Sequence, residues 1–65
     1  MISVNGKPFE LEPGETVSTL LQRIGFHGRY ALVERNGEPV ERARYERLRL
    51  EDGDTLVVAR PVAGG

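Results

Sequence analysis

The chain has 65 residues, a net charge of −1 at pH 7 and no cysteine. A chain of this length forms one domain with a thin core, because it buries only about 60% of the surface that its unfolded form exposes. This leaves no room for an enclosed active site beside the core, and the lack of cysteine excludes disulfides and thiolate-bound metals. The composition fits a reducing cytoplasm, and the apolar runs are too short for a membrane span or a signal peptide.

Basic and acidic side chains nearly balance, at nine and ten. The densest group of arginines, Arg42, Arg44, Arg47 and Arg49, is interleaved with glutamates. Nucleic-acid binding requires an uncompensated basic surface. The mixed pattern instead predicts a solvated surface with local ion pairs, and no nucleic-acid partner is expected.

The N-terminal part of the chain is typical of a β-hairpin. Ile2 and Val4 form one run of alternating apolar residues, Phe9 and Leu11 form a second, and Asn5-Gly6 joins the two. A type I′ turn needs positive φ at both central residues, which asparagine and glycine tolerate best. The pattern therefore predicts two antiparallel strands.

A short amphipathic helix is predicted next, with Thr16 as its N-cap and Gly25 just past its end. One apolar face has helical spacing: Val17, Leu20, Leu21 and Ile24. A helix of two turns does not persist alone in water. We therefore expect it to lie on the sheet.

Residues 30–35 form a predicted third strand, with Ala31 and Val33 facing inward. Asn36-Gly37 is a second turn signal, and a short return strand is expected to begin at Val40. Pro39 confines that return to a sheet edge, because proline cannot donate to a ladder.

The remaining segments predict a short helix over residues 43–48, a tight turn over 51–54 and a last strand over 55–59. In that strand Leu56 and Val58 would face the core, whereas Val57 and Ala59 would face outward. Because this strand is the most apolar one, we expect it at the centre of the sheet.

The element order is thus β-β-α-β-β-(short helix)-β. It predicts an α+β fold in which one helix packs across one face of a mixed sheet of four to five strands. We expect residues 1–60 to form this domain and residues 61–65 to form a flexible C-terminal tail.

No catalytic or metal site is predicted. His27, the one histidine, lies in a predicted loop, and without cysteine neither a Cys–His pair nor a histidine metal cluster can form. Glu51, Asp52 and Asp54 lack the spacing of a calcium loop, and a turn explains them. The chain is therefore not expected to be an enzyme or to bind a cofactor.

The C-terminal pair Gly64-Gly65 points to function more directly than any internal motif. A diglycine lacks both Cβ atoms and can enter a channel too narrow for side chains. Its carboxylate is a poor electrophile, so group transfer requires activation, which ATP can supply by forming an acyl-adenylate. A sulfur nucleophile that displaces AMP would leave a terminal thiocarboxylate. A frayed end or a cloning remnant is the alternative interpretation.

Several segments, taken in order, resemble the ThiS family, the sulfur carriers of thiamine thiazole biosynthesis, which share the ubiquitin-like β-grasp fold. The matching segments span nearly the whole chain. They are Val4-Asn5-Gly6, residues 16–21 (TVSTLL), 36–40 (NGEPV), 42–45 (RARY), 50–56 (LEDGDTL) and 62–65 (VAGG).

The resemblance implies that an adenylyltransferase of the ubiquitin-activating type uses ATP to adenylate Gly65. It also implies that a sulfur donor system converts the adenylate to a thiocarboxylate, and that thiazole synthase receives the sulfur. Threading into the activating enzyme would involve the residues just before the terminus, namely Gly64, Ala63 and Val62. Docking would involve the outward surface around Val57 and Ala59.

Other interpretations stay open. The small subunit of molybdopterin synthase, and carriers for cysteine synthesis or tRNA thiolation, also look like β-grasp chains with this ending, although they tend to be longer. A protein modifier joined through Gly65 to a target lysine is a second class. An interaction module with an inert tail is a third.

Overall fold

The computed structural model describes residues 1–26 and 31–60. They form one sheet and one α-helix, in the following order: β1 (Ile2–Val4), β2 (Lys7–Phe9), α1 (Val17–Arg23), β3 (Leu32–Arg35), β4 (Glu38–Pro39), a 3₁₀ turn (Arg42–Arg44) and β5 (Thr55–Ala59). The strand order is β2-β1-β5-β3-β4, with β1 parallel to β5 and the other neighbours antiparallel. The predicted α+β fold and the central position of the last strand are confirmed.

Both predicted hairpin turns are present. Asn5 and Gly6 have φ of 51° and 80°, and Asn36 and Gly37 have 52° and 84°. Positive φ at both central residues is the type I′ geometry, whose twist matches that of the flanking strands. The first hairpin is shorter than predicted, because β2 ends at Phe9 and not at Leu11.

The return strand β4 begins earlier than predicted. A two-residue turn places Glu38 directly opposite Arg35, so pairing starts there and not at Val40. Pro39 lies on this edge strand, as expected for a residue without an N–H donor. Val40 follows the strand, and its N–H donates to the carbonyl of Val33 at 2.9 Å.

Helix α1 begins where the sequence predicts. The Thr16 hydroxyl accepts from the Thr19 N–H at 3.2 Å, and the Thr19 hydroxyl accepts from the Thr16 N–H at 2.9 Å. This reciprocal capping box satisfies two amides that a helix leaves without intrahelical partners. At the other end Gly25 has a φ of 84°, the left-handed conformation predicted for it.

The segment before β5 forms part of the helix N-terminus. The Val17 and Ser18 amides donate to the carbonyls of Leu48 and Tyr45 at 3.1 and 2.8 Å. The helix predicted over residues 43–48 is instead the 3₁₀ turn, which begins one residue earlier, because the Arg44, Tyr45 and Arg47 amides donate to carbonyls three residues back. The Tyr45 hydroxyl donates to the Ala31 carbonyl at 2.7 Å, which joins this segment to the start of β3.

The core lies between α1 and the inner face of the sheet. Its buried apolar residues are Ile2, Val4, Val17, Leu20, Leu21, Ala31, Val33, Tyr45, Leu50, Leu56 and Val58. The predicted inward residues of the third and last strands are all among them, so the alternation read from the sequence is confirmed. Tyr30, the first residue of the predicted third strand, lies outside the described residues.

The four clustered arginines are exposed, but none of them forms a salt bridge with a carboxylate of residues 1–26 or 31–60. The prediction of local ion pairs there is wrong for this part of the chain. Exposed pairs gain too little to hold two long side chains in one geometry. No helix formed by the described residues has the length and apolar character needed to cross a bilayer.

Candidate functional site

The predicted reactive end of the chain falls outside the described residues. Gly65 and the predicted threading residues Gly64, Ala63 and Val62 belong to residues 61–65, and His27 belongs to residues 27–30. Their roles, and the domain boundary at residue 60, stay predictions. The site is therefore built from the element that leads to residue 61, which is β5.

Strand β5 has a buried and an exposed face. Leu56 and Val58 are 0% and 5% exposed, whereas Val57 is 47% exposed and Ala59 is also open to solvent. The structure thus places Val57 and Ala59 on the outward face, where the sequence predicted them. Their role in docking is not tested by this position and stays a prediction.

Neighbouring strands enlarge this outward surface. Leu32 pairs with Ala59, and Glu34 pairs with Val57 on one side and with Pro39 on the other. Directly paired residues share a face of the sheet, so these five side chains lie together. Leu32 is 51% exposed, and with Val57 and Met1 it makes up the exposed large apolar side chains of the described residues. We call Leu32, Glu34, Pro39, Val57 and Ala59 the outer patch.

A shallow cleft of about 300 Å³ adjoins the outer patch. All five patch residues line it, together with Val33, Val40 and Tyr45. An exposed apolar surface with a cleft is the kind of surface that protein partners cover.

The start of β5 is fixed by a buried carboxylate. Asp54 accepts hydrogen bonds from Arg35 Nε at 2.9 Å, Asn36 Nδ2 at 3.0 Å and the Glu51 amide at 2.8 Å. It therefore ties the turn before β5 to the β3–β4 hairpin. Because these contacts account for the carboxylate, Asp54 has a structural role.

The pKa of Asp54 lies below its ordinary value. Burial, the largest single influence, raises it, but the hydrogen bonds from Glu51 and Asn36 and the bond and charge of Arg35 together outweigh burial. Asp54 is therefore ionised at neutral pH. Its charge stabilises the entry into β5.

The far end of β5 is held by Asn5. The backbone pairing of β1 with β5 stops at Val4 and Leu56. Beyond it, Asn5 Nδ2 donates to the Val58 carbonyl at 3.0 Å, and the Val58 amide donates to Asn5 Oδ1 at 2.8 Å. The side-chain amide acts as one more backbone unit of β1 and holds β5 close to the point where residue 61 follows.

Arg60, the last described residue before that point, contacts Phe26 in the segment that follows the helix. Its guanidinium carbon lies 5.0 Å from the centroid of the Phe26 ring. This separation is within the range of a cation–π interaction. The Phe26 amide in turn donates to the Leu21 carbonyl at 2.8 Å. The chain leaving β5 is thus attached to α1.

Sequence reasoning missed several of these residues. The alternation that placed Ala31 and Val33 inward also implies that Leu32 and Glu34 face outward, so a signal for them existed. Their pairing with Ala59 and Val57 needs the strand register, which depends on contacts distant in sequence. Likewise, Asn5 and Asn36 were predicted as turn residues, and nothing local indicated that their side-chain oxygens accept from the Val58 and Thr55 amides of β5.

The comparison with protein families gives one match that covers almost the whole chain. The ThiS family profile matches residues 2–65. The match includes β5, the outer patch and the C-terminal diglycine.

Solved structures agree with this match. A crystal structure of a thiamine biosynthesis protein (ThiS) from Geobacter metallireducens superposes with a TM-score of 0.80, at 33% identity, over 98% of this chain and 97% of that one. A solution NMR structure of a thiamine biosynthesis protein from the same organism gives a TM-score of 0.75 at 33% identity, over 98% of this chain and 86% of that one.

Two curated relatives are thiazole synthases. The one from Magnetococcus marinus is 36% identical over 98% of this chain, and the one from Paramagnetospirillum magneticum is 34% identical over 95% of it. The chain spans only 20% and 19% of their lengths. With a family profile that covers 64 of its 65 positions and a solved relative of the same fold and length, this chain belongs to the ThiS family.

Proposed function

We propose that this chain is a sulfur carrier of thiamine biosynthesis and that its sulfur travels as a thiocarboxylate on Gly65. The observation that carries the proposal is the whole-chain ThiS match, which runs through to Gly65 and coincides with the β-grasp fold. The chain acts in this scheme as a substrate of other enzymes.

The chemistry proceeds in two balanced steps. The Gly65 carboxylate attacks the α-phosphorus of ATP, the bond to the β-phosphate breaks, and pyrophosphate leaves. Hydrosulfide supplied by the donor system then attacks the acyl carbon, the bond from that carbon to the phosphate oxygen breaks, AMP leaves, and a thiocarboxylate remains on Gly65. Activation is needed because direct attack on a carboxylate would have to expel an oxide, whereas AMP is a competent leaving group.

The body of the chain contributes binding and orientation. Asp54 and Asn5 fix the two ends of β5, so the outer patch keeps a constant position relative to Ala59, the last residue of the strand. In this proposal the outer patch docks on an adenylyltransferase of the ubiquitin-activating type, while Val62, Ala63 and Gly64 thread toward its nucleotide site. ATP belongs to that enzyme, and the carrier itself binds no cofactor.

Thiazole synthase is the proposed acceptor. Relatives that bear this name contain a stretch similar to the present chain within one longer polypeptide. Such a stretch would keep a carrier next to the enzyme that consumes its sulfur. This favours the thiazole route over molybdopterin, cysteine or tRNA thiolation.

The test is an in vitro activation assay. The purified chain is mixed with an adenylyltransferase of this type and Mg-ATP, and pyrophosphate release and intact mass are followed. We expect an adenylate on Gly65 and, with a sulfur source, a mass increase equal to the exchange of one oxygen for sulfur. Pyrophosphate release that is the same with and without the chain would contradict the proposal.

Two variants separate the tail from the body. Deletion of Gly65 should abolish adenylation, and Gly64→Ala should slow it, because the added methyl group meets the walls of a narrow channel. Neither change should alter the urea midpoint, since both lie beyond β5. Conjugates of the chain to other proteins, found by mass spectrometry in place of the free thiocarboxylate, would indicate a modifier instead.

A further inference from the structure

Glu34 is a single charge within an otherwise apolar surface. It faces Val57 of β5 across one strand boundary and Pro39 of β4 across the other, and Leu32 lies two positions away on the same face of β3. Directly opposed residues have Cβ atoms about 4.5–5.5 Å apart. The carboxylate is therefore bordered by apolar side chains on three sides.

The two buried carboxylates of the described residues have arginine partners, whereas Glu34, like other exposed glutamates such as Glu10 and Glu38, has none there. Buried Glu15 pairs with Arg23, and buried Asp54 pairs with Arg35. Glu34 is exposed and forms no salt bridge within residues 1–26 and 31–60. Its charge is hydrated by solvent, and it contributes nothing visible to the fold.

Docking changes the surroundings of this charge. A partner that covers Leu32, Val57 and Ala59 must also remove water from Glu34, because the carboxylate lies among them. A desolvated carboxylate without a counter-charge opposes association strongly. A partner must therefore place a cation opposite Glu34, or leave the patch uncovered.

We propose that Glu34 determines the specificity of the outer patch, and that its partner is an apolar protein surface with an arginine or lysine at its centre. The inference rests on the proposed function and assigns this surface to the activating enzyme. That enzyme is the first partner that the carrier must meet, since no sulfur can be attached before the carboxylate is activated. A carrier with no charge at this position would bind less tightly, and one with a cation there would be rejected.

The experiment compares three variants of the full chain, Glu34→Gln, Glu34→Lys and Glu10→Lys. Glu10 is the matched control, because it is also exposed and follows β2 at the opposite edge of the sheet. It undergoes the same change of charge as Glu34→Lys. Circular dichroism and urea midpoints first establish that all three fold like the wild type.

The readout is kcat/KM for adenylate formation, measured by pyrophosphate release at several salt concentrations. We expect Glu34→Lys to lower kcat/KM by about thirtyfold or more, mainly through KM. Glu34→Gln should lower it less and should weaken its salt dependence, since an ion pair screened by salt is lost. Glu10→Lys should match the wild type.

The outcomes distinguish this inference from the function on which it rests. If the wild type is not adenylated, the proposed function fails. If the wild type is adenylated and Glu34→Lys behaves like Glu10→Lys, only the role of Glu34 is overturned. Equal losses in Glu34→Lys and Glu10→Lys would also overturn it, because they would indicate an effect of overall charge.

Discussion

The two faces of β5 differ in what their side chains contact. Buried and exposed side chains alternate along its five residues. Leu56 and Val58 are buried against α1 and the rest of the core, while Val57 and Ala59 are not covered by any element of residues 1–26 or 31–60. In a domain this small, one strand thus serves both as the centre of the core and as part of the proposed docking surface. Changes on one face should act on stability, and changes on the other face should act on association.

The largest expected effect comes from the buried face. Leu56→Ala removes a fully buried side chain, and such truncations cost about 2–5 kcal/mol. A core of this size rarely supplies more than about 3–5 kcal/mol, so the variant should be largely unfolded at 25 °C. Far-UV circular dichroism and urea titration measure this. A shift no larger than that of an outward-face variant would remove the distinction between the faces.

The next effect concerns the anchor at the start of β5. Asp54→Asn retains the shape of the side chain but loses its negative charge. One carboxylate oxygen, which accepts hydrogen bonds in the wild type, is replaced by an NH₂ group that cannot accept from Arg35 or Asn36. We expect the free energy of unfolding to fall by about 1–3 kcal/mol. Asp52→Asn, in the exposed turn next to it, is the matched control and should change stability much less. Chemical denaturation at pH 7 compares the two.

The same carboxylate predicts a dependence on pH. Because the pKa of Asp54 is lower in the folded chain than in the unfolded one, its contribution is fully present above the unfolded value of about 3.9. It is lost as the pH falls through the lower, folded value. Urea midpoints measured from pH 7 down to pH 2 should therefore decrease below about pH 4, and less steeply in Asp54→Asn. If the urea midpoints of the wild type and Asp54→Asn change in parallel with pH, Asp54 is not the cause of the pH dependence.

A smaller loss of stability is expected from changes at the N-terminus of α1, the helix that covers the buried face of β5. Thr16→Ala removes the N-cap hydroxyl and should lower stability by about 1 kcal/mol. Thr16→Ser keeps the hydroxyl and serves as the control, with little change. If the two variants have the same urea midpoint, the capping box does not stabilise α1.

The smallest effect on stability is expected on the outward face. Val57→Thr keeps a β-branched side chain of the same shape, so stability should stay within about 0.5 kcal/mol of the wild type. Adenylation should nevertheless slow by about fourfold or more, since an apolar group of the outer patch becomes polar. Thr55→Val makes the reverse change on the same face outside the outer patch, and its rate should equal that of the wild type. Equal rates for all three proteins would mean that Val57 does not touch the activating enzyme.

Local signals account for most of the fold. Period-two alternation, Asn-Gly turns and a capped apolar helix each involve neighbours in sequence, and all three were confirmed. The confirmed position of β5 at the sheet centre follows from its apolar character. Element ends were less accurate, as in β2 and the 3₁₀ turn, because they depend on which distant groups take the backbone hydrogen bonds.

The candidate site divides in the same way. Val57 and Ala59 could be placed outward by alternation alone, and the role of Gly65 was predicted from the chemistry of a diglycine carboxylate and from resemblance. The pairing of Glu34 with Val57, the ion pair of Arg35 with Asp54 and the contact of Arg60 with Phe26 all join residues far apart in the chain. No periodicity in one sequence specifies such pairs.

The side-chain amide of Asn5 also protects β5 from pairing with a strand of another molecule. β1 turns away before β5 ends, which would leave the main-chain groups of Val58 open to a foreign strand. Such open edges promote self-association and aggregation. Asn5 closes this gap with one donor and one acceptor, a combination that aspartate cannot offer because it lacks the donor. The side chain of Asn5 thereby keeps the central strand from recruiting copies of the same chain.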